Sequence, residues 1–235
     1  MLTRERRRPT ILPLEQVLAN YANLTQPLSN NSELQNFLTT NFAPAGGELV
    51  AVPSNQLQTN PAFLGKINDT VITQFVQKVI GIWPDLTRSY VGGGNCSGCV
   101  DSFIEVNRTF VVAGGRFREP YYWDSYWILE GLLRTGGNYT EISKNTIENF
   151  LDFVEMFGFV PNGARLYYLN RSQPPLLSQM VKIYLDHTND TSILDRALPL
   201  LIKEHNFWTT NRTVTVTKNG TSYKLQQYVS PPRSS

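Results

Sequence analysis

The sequence has few charged residues and almost no excess of either sign. Asp, Glu, Lys and Arg make up 17% of the 235 residues, and the 21 basic residues exceed the 19 acidic ones by two. Much of this excess lies in the cluster Arg4, Arg6, Arg7 and Arg8, which leaves no broad basic surface for nucleic acid. We therefore expect no nucleic-acid partner, and we interpret the cluster as a solvated chain terminus rather than a polyanion-binding patch.

Long apolar runs are absent as well. No stretch reaches the roughly 18 consecutive apolar residues that a spanning helix needs, so a transmembrane segment is not expected. Residues 1–13 include basic side chains but no apolar stretch after them, so they do not have the pattern of a signal peptide. Taken alone, this absence would indicate a cytosolic protein.

Glycosylation motifs point to a different location. Asn-x-Ser/Thr occurs ten times, whereas the composition would give about three by chance. The motifs begin at Asn23, Asn30, Asn68, Asn95, Asn107, Asn138, Asn170, Asn189, Asn211 and Asn219. We therefore expect a secreted or cell-surface protein whose signal peptide is missing from this chain.

Cysteine and histidine are scarce, with two residues of each. Cys96 and Cys99 lie in one glycine-rich loop, whereas His187 and His205 are too far apart in the sequence to complete a zinc site with them. In a secreted protein the pair favours a small local disulfide, while a redox role would need a strand-to-helix context that this loop lacks. We expect the disulfide, no metal site and no cofactor.

Apolar periodicity predicts a mainly helical protein. A stripe from Val71 to Trp83 indicates a helix that is capped by Asn68 or Asp69 and ended by Pro84. Weaker helical patterns lie at residues 14–21 and 34–38. The same reasoning predicts three more helices, one ending at Gly158, one that opens at Pro174 and ends before Asn189, and one from Asp190 through His205.

The period changes near the end of the chain. Val214 and Val216 alternate with threonines, and Asn219-Gly220 then offers a tight turn before Tyr223. This pattern predicts one β-hairpin. The longer connections, residues 111–124, 159–173 and 211–232, are where we expect functional residues, because loops held by a rigid scaffold carry most binding groups.

Residues 114–127, GGRFREPYYWDSYW, concentrate aromatic, basic and acidic side chains. Sugar rings present apolar faces that pack on Trp and Tyr, and hydroxyls that need rigid polar partners such as Arg, Asp and Asn. The same residues could instead fill a core, with Asp124 as the N-cap of a helix over Ser125–Leu133. The residues alone leave both a polar-ligand site and a packed core open.

This segment resembles the first signature of the trehalase family, Pro-Gly-Gly-Arg-Phe-x-Glu-x-Tyr-x-Trp-Asp-x-Tyr, and departs from it only at Ala113, where the family has proline. Residues 160–177, VPNGARLYYLNRSQPPLL, resemble a second block of the family at the expected spacing. HTND from His187 and FWTTNRT from Phe207 are also similar to it, and the resemblance extends over residues 12–229.

The resemblance implies an all-α fold, the (α/α)6 toroid of trehalases. This chain would supply about half of the toroid, together with the one small β-hairpin. Residues 1–235 would form the N-terminal portion of a single catalytic domain, with 1–12 disordered and 230–235 an atypical tail. Because an open half-ring exposes apolar faces that its missing partners would cover, we expect the chain alone to be poorly stable or to aggregate.

The resemblance also implies a set of substrate-binding residues, carried over position by position. They are Arg116, Phe117, Tyr121, Trp123 and Asp124 in the first block, and Asn162, Arg171, Ser172 and Gln173 in the second. Glu119 is expected to fix a neighbouring arginine rather than to act in catalysis. Asn170 is expected to stay unglycosylated, because a glycan beside Arg171 would block the pocket.

The activity implied is that of a glycoside hydrolase, which converts α,α-trehalose to two glucose molecules. The family inverts configuration: one carboxylic acid protonates the bridging oxygen, and an opposing carboxylate activates water. The family's acid, an Asp in a Gly-Trp-Asp-Phe-type segment, and its later Glu base have no counterpart in these 235 residues. We therefore expect no activity from this chain itself; the alternative is a non-catalytic form that binds sugar or modulates a full-length trehalase.

Overall fold

The computed structural model describes residues 8–24, 31–93 and 96–228. Most regular structure within these ranges is helical, and the mainly helical prediction is confirmed. The helices are α1 (Leu14–Ala22), α2 (Asn31–Asn41), α3 (Thr70–Ile80), α4 (Trp83–Leu86), α5 (Tyr122–Thr135), α6 (Asn138–Phe157), α7 (Leu177–Thr188) and α8 (Leu194–Asn211).

Two small antiparallel sheets accompany the helices. The predicted hairpin is confirmed as β4 (Thr213–Lys218) and β5 (Thr221–Gln226), and its turn places Asn219 and Gly220 at positive φ angles of 51° and 75°. A second sheet, in the order β1 (Leu49–Ala51), β2 (Thr87–Tyr90) and β3 (Phe110–Val111), was not predicted. Its strands have two to four residues, too few for a period of two to be recognised.

The capping residues explain where several helices begin and end. The Asp69 carboxylate accepts hydrogen bonds from the amides of Val71 and Ile72, at 2.8 and 3.0 Å, so the predicted cap of α3 is confirmed. Gly158 ends α6 in the left-handed conformation, with a φ of 82°. The predicted start of α8 is wrong by four residues, because Asp190 caps a short 3-10 turn that precedes the helix.

The helical core is formed by α5, α6, α7 and α8. These helices pack on one another, and α6 contacts the other three. Fully buried side chains at the centre include Leu129 from α5, Phe150 and Phe153 from α6, and Met180 from α7. This packing of successive helices around an apolar centre is consistent with part of the predicted (α/α)6 toroid.

The apolar stripe of α3 faces outward. Val71, Ile72, Phe75 and Val79 are all exposed, although their spacing is that of a helix face made for burial. An exposed apolar face of this kind agrees with the expectation of an open helical arrangement. In the part of the chain that the structure describes, no helix combines the length and apolarity needed to cross a membrane.

The start of the described chain is held in place. Thr10 is buried, donates its amide to the Val100 carbonyl at 2.9 Å, and pairs with Phe42. Residues 1–12 were expected to be disordered, whereas Thr10 and Ile11 have main-chain partners in the structure. Residues 1–7 and the expected tail 230–235 lie outside the described residues, as do the sequons at Asn30 and Asn95.

Candidate functional site

The two segments singled out in the sequence lie side by side. Residues 114–121 lead into α5, and residues 160–173 approach the start of α7. Tyr121 pairs with Gly163, the Ala164 amide donates to the Pro120 carbonyl at 3.2 Å, and the Tyr122 amide donates to Asn162 at 3.3 Å. The main chain thus joins the two signature blocks at the start of α5.

Side chains strengthen this connection. The Trp123 amide in the first turn of α5 donates to Gln173 Oε1 at 3.0 Å. Within the second block, the Asn162 amide donates to the Arg171 carbonyl at 2.9 Å. Gln173 is therefore held against Trp123, and Asn162 links Arg171 to the start of α5.

A tight turn places the first-block side chains. Gly114 and Phe117 exchange main-chain hydrogen bonds of 3.0 and 3.2 Å, and Gly114 and Gly115 have φ angles of 103° and 59°. A side chain at either glycine would be strained in this conformation. The turn presents Arg116 and Phe117 on the surface, with the guanidinium carbon 5.0 Å from the Phe117 ring centroid.

An arginine–aromatic row crosses the junction between the blocks. The Phe117 and Tyr121 ring centroids are 5.5 Å apart, and those of Tyr121 and Tyr168 are 6.0 Å apart, both edge to face. Arg116 lies over the ring at one end, and Arg171 lies 4.9 Å from the Tyr168 centroid at the other. The arginine–aromatic row therefore comprises Arg116, Phe117, Tyr121, Tyr168 and Arg171.

The remaining predicted residues differ in accessibility. Trp123 is 43% exposed, and Asp124, Asn162 and Gln173 are half-buried. Asp124 lies inside the first turn of α5, so its interpretation as the helix N-cap is wrong. Ser172 is buried, and its hydroxyl donates to the Val160 carbonyl at 2.5 Å. The role of Ser172 as a substrate contact stays a prediction.

Two features near the site were missed in the sequence. Tyr168 contacts Tyr121 and so joins the blocks, but the sequence YYLN does not indicate which of Tyr167 and Tyr168 would do so. The exposed Tyr228 donates its hydroxyl to the Ser172 carbonyl at 2.6 Å, which brings the segment after the hairpin to the second block. Neither contact follows from local sequence, because both join residues that are 47 or more positions apart.

Glu119, a buried acid near the site, contacts one basic and one hydroxyl side chain. Glu119 Oε2 lies 3.6 Å from Arg165 Nε, in agreement with the prediction that it fixes an arginine, and Glu119 Oε1 accepts from the Tyr121 hydroxyl at 2.6 Å. Burial, followed by the nearby Glu119 carboxylate, raises the pKa of Tyr121 well above its usual range. Tyr121 therefore stays a neutral hydroxyl that donates to Glu119.

Further from the site, Cys96 and Cys99 are joined by a disulfide bond. Among the residues that the structure describes, no three His, Cys, Asp or Glu side chains come together as metal ligands would. An apolar groove of about 480 Å³ lies between α1, α2 and residues 100–102. A smaller cavity of about 230 Å³ adjoins the Gly114–Gly115 turn, next to Arg88 and Arg118.

Comparison with known proteins gives one family. The trehalase family model matches residues 10–235. A trehalase from Dictyostelium discoideum is 47% identical over 194 residues, which cover 82% of this chain and 32% of that protein. Human trehalase is 39% identical over 226 residues, covering 95% of this chain and 38% of the human protein. A trehalase from Pimpla hypochondriaca is 42% identical over 200 residues, covering 85% and 34%.

The structure of the neutral trehalase Nth1 from Saccharomyces cerevisiae matches 46% of this chain with a TM-score of 0.42 and 36% identity, and 20% of that structure is covered. This chain spans about a third of the length of the curated trehalases that it matches. The family model covers nearly all of its residues, including both signature blocks. The chain therefore belongs to the trehalase family.

Proposed function

We propose that this chain forms part of the trehalose-binding surface of an inverting glycoside hydrolase, which splits α,α-trehalose into two glucose molecules. The observation that carries the proposal is the arginine–aromatic row, in which both signature blocks contribute to one continuous set of contacts. Family membership supports a disaccharide as the substrate class.

The chemistry of the exposed groups suits a sugar. The half-exposed Trp123 and Phe117 offer apolar surfaces on which the C–H faces of glucose can pack. Arg116 and Arg171 carry planar guanidinium donors at the two ends of the row, and Asp124 adds an acceptor for hydroxyl groups. Because main-chain bonds fix both segments, the sugar would meet a surface that is largely formed before binding.

This chain supplies no catalytic acid or base in the proposal. An inverting hydrolase needs two carboxyl groups about 6.5–9.5 Å apart with a water between them. Glu119, which lies in the first block, is fully buried and is already held by Arg165 and the Tyr121 hydroxyl, so it has no access to water. We therefore propose that the acid and the base come from residues outside these two blocks.

Calorimetric titration with trehalose, combined with a glucose-release assay, tests this proposal. We expect binding to trehalose, no comparable binding to sucrose, and no glucose release. Trp123→Ala should weaken binding, whereas Trp127→Ala, one turn further along α5 and 63% exposed, is the matched control and should not. Turnover of trehalose would contradict the absence of catalytic groups, and a lack of binding would contradict the site.

We also propose that the protein is a glycoprotein that passes through the secretory pathway. Among the eight sequon asparagines in the described ranges, seven have exposed side chains and Asn170 is partly buried. The exposed ones are Asn23, Asn68, Asn107, Asn138, Asn189, Asn211 and Asn219. The disulfide between Cys96 and Cys99 supports the same compartment, because such bonds persist in oxidising surroundings.

A further inference from the structure

Three charged side chains from distant parts of the chain meet behind the arginine–aromatic row. Glu48, Glu119 and Arg165 are all fully buried. Arg165 Nη2 lies 2.5 Å from Glu48 Oε1, and Arg165 Nε lies 3.6 Å from Glu119 Oε2. Glu48 immediately precedes β1, whereas Glu119 and Arg165 belong to the first and second signature blocks. We call these three residues the buried ion cluster.

The Arg165 guanidinium makes further contacts with an aromatic ring and a hydroxyl group. It lies over the Phe103 ring, 4.7 Å from the centroid, and Nη1 donates to Ser102 Oγ at 3.2 Å. The main chains of Phe103 and Arg165 also pair. Burying several charges is a weak source of stability, because the cost of removing them from water offsets much of their attraction. The cluster is better explained by the geometry that it imposes.

That geometry reaches the site through one hydrogen bond. Glu119 Oε1 accepts from the Tyr121 hydroxyl at 2.6 Å, and Tyr121 is the central ring of the arginine–aromatic row. The Gly163 backbone lies close against the same ring, since a Cβ there would be 3.2 Å from Tyr121. The cluster therefore fixes the hydroxyl of Tyr121, while the Gly163 backbone of the second block packs against its ring.

We propose that Glu48 and Arg165 are positioning residues for trehalose binding, which act through Glu119 and Tyr121. Neither Glu48 nor Arg165 was among the residues expected to contact substrate. Glu48 lies outside both signature blocks, and it connects the site to the three-stranded sheet. This inference rests on the proposed function for its ligand, but the ordering of the two blocks can be measured without any sugar.

Amide hydrogen exchange on the whole chain tests the positioning role directly. The variants are Glu48→Gln and Arg165→Lys. Glu48→Gln keeps the size of the side chain but removes its charge, and Arg165→Lys keeps the charge but loses the planar guanidinium group. The informative amides are those of Tyr122 and Ala164, whose hydrogen bonds hold the two blocks together, and that of Asn162, whose hydrogen bond to Arg171 closes the second block. Both variants should accelerate exchange at these amides and leave α6 unchanged.

Ile147→Val, a core substitution in α6, is the matched control because it lowers stability without touching the cluster. It should raise exchange through global opening and leave trehalose affinity unchanged at temperatures where the protein is folded. Glu48→Gln and Arg165→Lys should lower trehalose affinity roughly tenfold, because Tyr121 would no longer be fixed by its bond to Glu119; tenfold corresponds to about 1.4 kcal/mol.

The outcomes separate this inference from the proposed function. Unchanged exchange at Tyr122, Asn162 and Ala164, or a uniform rise that includes α6 as in an unfolded variant, would overturn the positioning role. Normal trehalose affinity in both variants would also overturn it. If the unmodified chain fails to bind trehalose while the exchange pattern is as expected, the proposed function fails and the ordering of the two blocks by the cluster stands.

Discussion

The outward-facing stripe of α3 predicts that this chain self-associates through that helix. Phe75 is 67% exposed and Val71 is 76% exposed, yet both belong to the apolar face of an amphipathic helix. Full burial of such a side chain contributes about 1.5–3 kcal/mol. Covering the exposed parts of these two residues would therefore yield about 2–4 kcal/mol for each chain.

The double substitution Val71→Gln and Phe75→Gln should remove this driving force at little cost to the folded monomer. Only about a third of Phe75 and a quarter of Val71 are buried, so their loss should reduce the free energy of unfolding by about 1 kcal/mol. The better helix propensity of glutamine offsets a few tenths of a kcal/mol of that. Self-association should weaken at least about tenfold, since each 1.4 kcal/mol is a factor of ten.

Sedimentation over a concentration series measures the association, and urea unfolding at dilute protein measures the monomer. Met156→Gln is a suitable control, because Met156 is exposed on α6 and lies outside the α3 stripe. If the double variant associates as strongly as the unmodified chain, the face is not what drives association. If the double substitution lowered the free energy of unfolding of the dilute monomer by more than about 3 kcal/mol, the stripe would be packed rather than exposed.

Three further predictions follow from single residues. Gly163→Ala should lower the free energy of unfolding by about 1–3 kcal/mol and weaken trehalose binding, because its Cβ would press on Tyr121; wild-type affinity in a calorimetric titration would contradict this. Burial raises the pKa of Glu204 above its ordinary 4.5, so stability from the protonated carboxyl is present below pH 4.5 and lost as pH rises. Glu204→Gln should therefore gain thermal stability relative to the unmodified chain between pH 4.5 and 7, and a constant difference across that range would refute the assignment. In protein secreted from eukaryotic cells, glycopeptide mass spectrometry should find Asn107 occupied and Asn170 empty; a glycan on Asn170 would contradict its expected role beside the site.

The sequence was most informative where local chemistry decides the structure. The α3 cap at Asp69, the left-handed end of α6 at Gly158 and the Asn219-Gly220 turn all depend on residues within one turn of each other. The family resemblance added the two signature blocks, which the fold brings together. What could not be predicted depends on distant partners: Glu48 and Arg165 are 117 positions apart, and no periodicity indicates that they pair.

The start of α8 and the order of residues 8–12 illustrate the same limit on a smaller scale. Asp190 was a sound cap signal, but it caps a 3-10 turn, so α8 begins at Leu194. Thr10 is held by Phe42 and Val100, two contacts that a polar, basic terminus does not suggest. In both places a specific hydrogen bond, which composition alone does not indicate, decides the local structure.

In the proposed function, both signature blocks form one trehalose-binding surface. The most direct test is an NMR titration of the ¹⁵N-labelled 26.6-kDa chain with trehalose, in which each amide reports its own environment. We expect saturable shift changes confined to residues 114–124 and 160–173, with the amides of Trp123 and Asn162 among the most affected. Shifts confined to one block, or centred on the apolar groove between α1 and α2, would contradict it.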